Sequence, residues 1–120
     1  MIDAARVRAN LDRIRESVPP EVEICAAVKY VSADDLPALA EGGITLVGEN
    51  RAQALLEKQA SHRELFTWDF IGALQSRKVK DVAPNVRLIQ SLASESALRR
   101  LGQTPAAEVL VQVNVAGEEG

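Results

Sequence analysis

The sequence predicts an α/β fold, a (β/α) TIM-type barrel of which about the first five strands are present, with an extra N-terminal helix. Three observations predict it. Apolar runs alternate with helix-like segments from residue 22 onward, the rhythm of parallel βα units. The runs are continuously apolar, as in strands covered on both sides. Where the faces can be separated, one is aliphatic and the other mixed and polar-tipped, as in barrel strands. A doubly wound sheet would want both faces aliphatic and comes second.

The elements follow in order. Val7, Leu11, Ile14 and Val18 lie at spacings of four, three and four, with arginines between them. They form one stripe of an amphipathic helix, stopped by Pro19-Pro20. Residues 22–28 read as the first strand, with Ile24, Ala26 and Val28 on one face and Cys25, Ala27 and Lys29 on the other. A short helix over 34–41 opens at Ser32 or Asp34 and closes at Gly42-Gly43. Residues 44–49 are the second strand and 51–60 the second helix. Residues 68–73 are the third strand, followed by a helix over 76–83 that Pro84 halts. Residues 86–92 are the fourth strand, 94–101 a helix ending at Gly102, and 108–116 the fifth strand. In the fifth, Leu110, Gln112 and Asn114 share a face opposite Val109, Val111, Val113 and Val115. Eight βα units typically need ~250 residues. The 120 residues here therefore read as the N-terminal half of a barrel whose open edges invite self-association.

Composition narrows the function. At 47% hydrophobic and 26% charged, the chain is globular. Its net charge of -3 gives no reason to expect nucleic acid. One Cys and one His exclude an internal disulfide and argue against a Cys/His zinc site. A lone Cys25 in an apolar run fits a reducing, cytoplasmic setting. Neither a membrane span nor a signal peptide is evident, so no membrane partner is expected.

Barrel chemistry lies at the C-terminal ends of the strands. Lys29, Gly48-Glu49-Asn50, Gly72, Ser91 and Asn114 converge there. The set lacks a Ser-His-Asp arrangement, a close carboxylate pair and a phosphate-binding glycine loop. What it offers is an amine. Lys29 either marks a solvated strand end or, if desolvation frees its nucleophile, forms a Schiff base.

The segments AAVKYVS, LVGENRAQ, WDFIGALQSRK, IQSLAS and VLVQVNVAGEEG, in this order, resemble the pyridoxal-phosphate homeostasis protein family, single-domain proteins similar to the barrel domain of alanine racemase. The resemblance covers roughly residues 5 to 120. It implies that residues 1–120 are the N-terminal part of one (β/α)8 barrel domain. The domain would hold pyridoxal 5'-phosphate (PLP), a small-molecule cofactor, as a Schiff base on Lys29. The implied role is PLP (vitamin B6) and amino-acid homeostasis without catalysis. The alternative is a truncated PLP enzyme of the same fold, such as an amino-acid racemase. Lys29 matches the family's cofactor lysine, Asn50 a residue near the cofactor, and Ser91 and Asn114 rim positions. Asp69 stands where the family commonly has His, Val31 where many members have a second lysine, and Arg77 where Asn is frequent. The resemblance also places the phosphate-holding residues in the remaining half of the family's length.

Other readings stand beside these. Asn50, with Gln53 three residues on, also fits a helix N-cap. Gly48 fits close helix–strand packing, and Glu49 a salt-bridge or capping partner. Arg77, Lys78 and Lys80 fit a solvated helix face, and Lys58 an ordinary surface amine. His62 reads as surface, and Trp68 and Phe70 as core anchors.

Overall fold

In a computed structural model, which describes residues 1–103, 107–113 and 115–116, five parallel strands form one sheet in sequential order. They are β1 (Ala26–Ala27), β2 (Leu46–Glu49), β3 (Thr67–Phe70), β4 (Leu88–Leu92) and β5 (Glu108–Val111). The helices are α1 (Ala4–Glu16), α2 (Leu36–Glu41), α3 (Ala52–His62), α4 (Val79–Val82) and α5 (Glu95–Gln103). The α/β class and the sequential parallel order match the reading of the sequence. The described sheet is not closed, since β1 and β5 each pair on one side only.

Local signals account for most boundaries. Asp3 caps α1 by accepting from the Ala5 amide at 2.9 Å, and Arg13 and Arg15 sit in its last turn, where the helix dipole favours cations. Its apolar stripe is only partly used. Val7 and Leu11 are half-buried, while Ile14 is exposed. The Ser94 hydroxyl accepts from the Ala97 amide at 3.1 Å and starts α5.

Several expected boundaries are corrected. The paired part of β1 is only two residues long. β3 begins one residue early, with Thr67 opposite Leu46, and ends at Phe70 instead of reaching residue 73. The helix expected over 76–83 is split into a 3-10 turn at Ser76–Lys78, the single turn of α4, and a second 3-10 turn at Ala83–Asn85 that contains Pro84. α5 runs through Gly102 to Gln103. β5 ends at Val111 instead of reaching residue 116.

Register assigns the faces. Val47 pairs with Trp68, and Phe70 with Ile89, so these four side chains and Val28 point the same way into the core beneath the helices. Trp68 and Phe70 are core anchors, as expected, at 4% and 2% exposure. Phe66 packs edge-on against Trp68, ring centroids 5.8 Å apart, and the Trp68 indole N–H donates to the Arg63 carbonyl at 2.9 Å. Ala27, Gly48, Asp69 and Leu88 share the opposite, inner side.

One irregularity re-aims a candidate site residue. Ile89 pairs with Val109 and Leu92 with Val111. Gln90 and Ser91 of β4 therefore stand against Leu110 alone. That extra residue is a bulge. It sends Gln90 inward and turns Ser91 toward the end of β3.

Candidate functional site at the strand ends

The chain leaves β1 through Val28, whose amide donates to the Gly48 carbonyl at 3.0 Å and whose carbonyl accepts from the Val31 amide. Lys29 sits in that turn and is exposed, its Nζ 5.2 Å from the Tyr30 ring centroid. The period-two alternation that put Lys29 beside Cys25 and Ala27 stops where the strand stops. Lys29 instead lines an open cleft of about 340 Å³ between this turn and the first turns of α3, with Tyr30, Ser32, Arg51, Gln53 and Glu57.

Asn50 follows β2 and is half-buried. It is not the N-cap of α3. Arg51 holds that place in an extended conformation, φ -133° and ψ 132°, and its carbonyl accepts from the Leu55 amide. The Asn50 side-chain Oδ1 is buried without a hydrogen-bond partner, an arrangement that calls for a ligand or solvent donor. Asn50 lines a second cleft, of about 260 Å³, with Gln75 and Lys78. The two clefts share Arg51 and Gln53.

Beside Asn50 the backbones of β2 and β3 nearly touch. A Cβ on Gly72 would lie 2.1 Å from the Asn50 carbonyl oxygen, so no other residue fits there. The Ser91 hydroxyl donates to the Gly72 carbonyl. Asn50, Gly72 and Ser91 thus form one contiguous rim, with Lys29 across Arg51 and Gln53 from it. Asn114 lies outside the described residues.

Gly48 has a different reason from the expected helix–strand packing. Its missing side chain faces inward, where a Cβ would meet Ile71 at 2.8 Å and the Cys25 sulfur at 3.1 Å. Small residues at 27 and 48 leave the inner side of β1 and β2 low.

Two buried carboxylates organise the surroundings. Glu49 is fully buried. Its Oε2 accepts from Lys58 Nζ at 2.7 Å and its Oε1 from the Asn50 amide at 2.8 Å. The salt-bridge reading of Glu49 is borne out. Lys58, read as a surface amine, is buried at 7% exposure and also donates to the Val28 carbonyl at 2.6 Å. Its position was legible. Lys58 falls three residues after Leu55 and six after Ala52, on the buried stripe of α3.

Asp69 is also fully buried, on the inner side away from the rim. Arg87 Nε and Nη2 grip its two oxygens at 3.1 and 2.8 Å, and Gln90 Nε2 donates to Oδ2 at 3.0 Å. Arg87 Nη1 reaches both Glu23 oxygens at 3.0 Å. Hydrogen bonds to Asp69 and then Glu23 push the guanidinium pKa further above its ordinary value. The sequence reading missed Arg87 and Glu23, which are partners only through contacts 18 and 64 residues distant in the chain. His62 is half-buried at the end of α3. Among the described residues, no group of His, Cys, Asp and Glu could hold a metal ion, and no helix is long and apolar enough to cross a membrane.

Cys25 borders this network. Burial pushes its thiol pKa up, the nearby Asp69 carboxylate adds to the rise, and Arg87 and the Gln90 side chain oppose it. A thiol raised in the folded state contributes stability below its unfolded pKa that is lost as pH climbs through the folded one. Because the thiolate is the nucleophile, iodoacetamide at pH 8 should modify Cys25 several-fold more slowly in the folded protein than in urea. Equal rates would show that the inner network leaves the thiol free.

No family model matches the chain. A pyridoxal phosphate homeostasis protein of Aquifex aeolicus is 36% identical over 103 residues, covering 81% of this chain and 45% of the relative. One of Pseudomonas aeruginosa is 32% identical over 118 residues, covering 88% and 51%. The chain spans about half the length of the curated relatives it matches. Among solved structures, PipY of Synechococcus elongatus with PLP bound superposes with a TM-score of 0.85 at 28% identity, covering 95% of this chain and 57% of PipY.

Proposed function

Because this chain belongs, over the span it covers, to the pyridoxal phosphate homeostasis protein family, we propose that it binds PLP and serves PLP and amino-acid homeostasis without catalysis of its own. Residues 1–120 are, in this reading, the N-terminal part of a single (β/α)8 barrel domain that works in the cytoplasm. The barrel reading is supported by five sequential parallel strands with helices on one side and by the likeness to PipY.

The single observation that carries the cofactor reading is a primary amine at a strand end, Lys29, lining an open cleft of about 340 Å³. That volume lies within the ordinary range for small-molecule sites. The buried, unpaired Oδ1 of Asn50 leaves an unsatisfied acceptor beside the neighbouring rim. The residues present therefore fit an aldehyde cofactor bearing hydrogen-bonding groups. Lys29 would hold it through its side-chain amine, as a Schiff base. Asn50 and Ser91 would contact it from the rim, and Asn114 is assigned the same role on the family resemblance alone. PLP when bound supplies an electron sink, and the protein around it decides whether any bond is activated. Among the described residues Lys29 is exposed, so its amine is open to a ligand arriving from solvent.

The protein mixed with PLP should develop near-visible absorbance that borohydride abolishes, leaving a label on the peptide containing Lys29. Lys29→Ala should lose the label and keep the fold, because the side chain is exposed and fills no core. A label on Lys78 or Lys80 that persists in Lys29→Ala would contradict the reading.

The open edges carry a second expectation. β1 and β5 present unpaired backbone groups, and Leu110, Val111, Val113 and Val115 are exposed. The 120-residue chain alone should associate with itself, and a monodisperse monomer by light scattering would contradict this.

A further inference from the structure

We propose that Lys58 and Glu49 are positioning residues for the cofactor site. One buried ion pair holds the end of β1 and the end of β2 where Lys29 and Asn50 begin. The inference rests on the PLP reading above.

The geometry is specific. Lys58 Nζ donates to the carbonyl of Val28, the residue before Lys29, at 2.6 Å, and to Glu49 Oε2 at 2.7 Å. Glu49 is the residue before Asn50, and its other oxygen accepts from the Asn50 amide at 2.8 Å. A single cation reaching from α3 thus ties down both strand exits. The side chains of Lys58 and Glu49 are 9% and 0% exposed. In water-poor surroundings such bonds are short, directional and strong.

Bulk stability does not account for the pair. A buried ion pair is commonly matched or bettered in stability by apolar side chains of similar volume, and α3 already places Ala52 and Leu55 on the same buried face. What apolar residues could not supply is a second donor for the Val28 carbonyl, which also accepts from the Val31 amide, and an acceptor for the Asn50 amide. With these two bonds, Lys29 leaves β1 from a fixed backbone. Asn50 keeps its backbone amide engaged while its buried side-chain Oδ1 stays unpaired.

The test is the double variant Glu49→Leu/Lys58→Met, which removes both charges and keeps similar volume. Amide hydrogen exchange without cofactor is one readout, and borohydride-trapped PLP on Lys29 is the other. Asn50 amide exchange should accelerate roughly 10- to 100-fold, the scale of one lost charge-assisted hydrogen bond, while the amides of Val47 and Ile89 keep their protection. Trapping on Lys29 should slow by about the same factor, with cooperative thermal unfolding retained. Unchanged exchange at Asn50, or unchanged trapping in a folded variant, overturns the proposal. If the double variant does not fold, Lys58→Arg is read in the same way; it keeps the charge but not the geometry, and unchanged trapping there overturns the proposal too. A native protein that traps no PLP on Lys29 overturns the functional reading instead, while Asn50 exchange still reports whether the pair holds the strand ends.

Discussion

A buried carboxylate must be paired, and two such carboxylates on adjacent strands constrain this structure more than any other feature. Glu49 on β2 and Asp69 on β3 are both fully buried, one toward the helices and one toward the inner side. An unpaired charge in either place would cost several kcal/mol or force protonation. Each therefore draws a cation from elsewhere in the chain. Lys58 comes from α3 to the helix side, and Arg87 comes from the start of β4 to the inner side. The first pair fixes the strand exits where the candidate site lies. The second, extended through Glu23 and Gln90, links the approach to β1 with β3 and β4 below the site.

Packing and site geometry are therefore not separable here. The apolar row of Val47, Trp68, Phe70 and Ile89 sets the sheet against its helices, and the register that aligns this row also sets the rim. Asn50 and Gly72 come together because β2 and β3 keep register up to Glu49 and Phe70, and only glycine permits their backbones to approach so closely. The bulge in β4 then brings Ser91 to the same place. A one-residue slip in any of these ladders would carry the polar rim to the helix side.

The order and direction of all five strands were legible in the sequence because the apolar runs and their breakers are local signals. The strand lengths were not. β1 pairs over two residues only, and no local pattern encodes where its pairing stops. Lys29 and Asn50 stood out by position at strand ends, and Asn50 as an N-cap was excluded only by the backbone of Arg51. Lys58 illustrates the opposite case. Its residue type suggested solvent, its helical spacing put it on the buried stripe, and the spacing prevailed because Glu49 and the Val28 carbonyl were waiting there. Asp69, noted as a departure from the family pattern, belongs to the inner network, which was not legible because its partner Arg87 is 18 residues distant in the sequence.

The central claim is that Glu49 and Lys58 act as one unit at the strand exits. A double-mutant cycle with Glu49→Leu and Lys58→Met, followed by denaturant unfolding, tests it directly. The account predicts that each single variant loses about 3–5 kcal/mol by stranding a buried partner, while the double variant loses much less. Additive losses would contradict it.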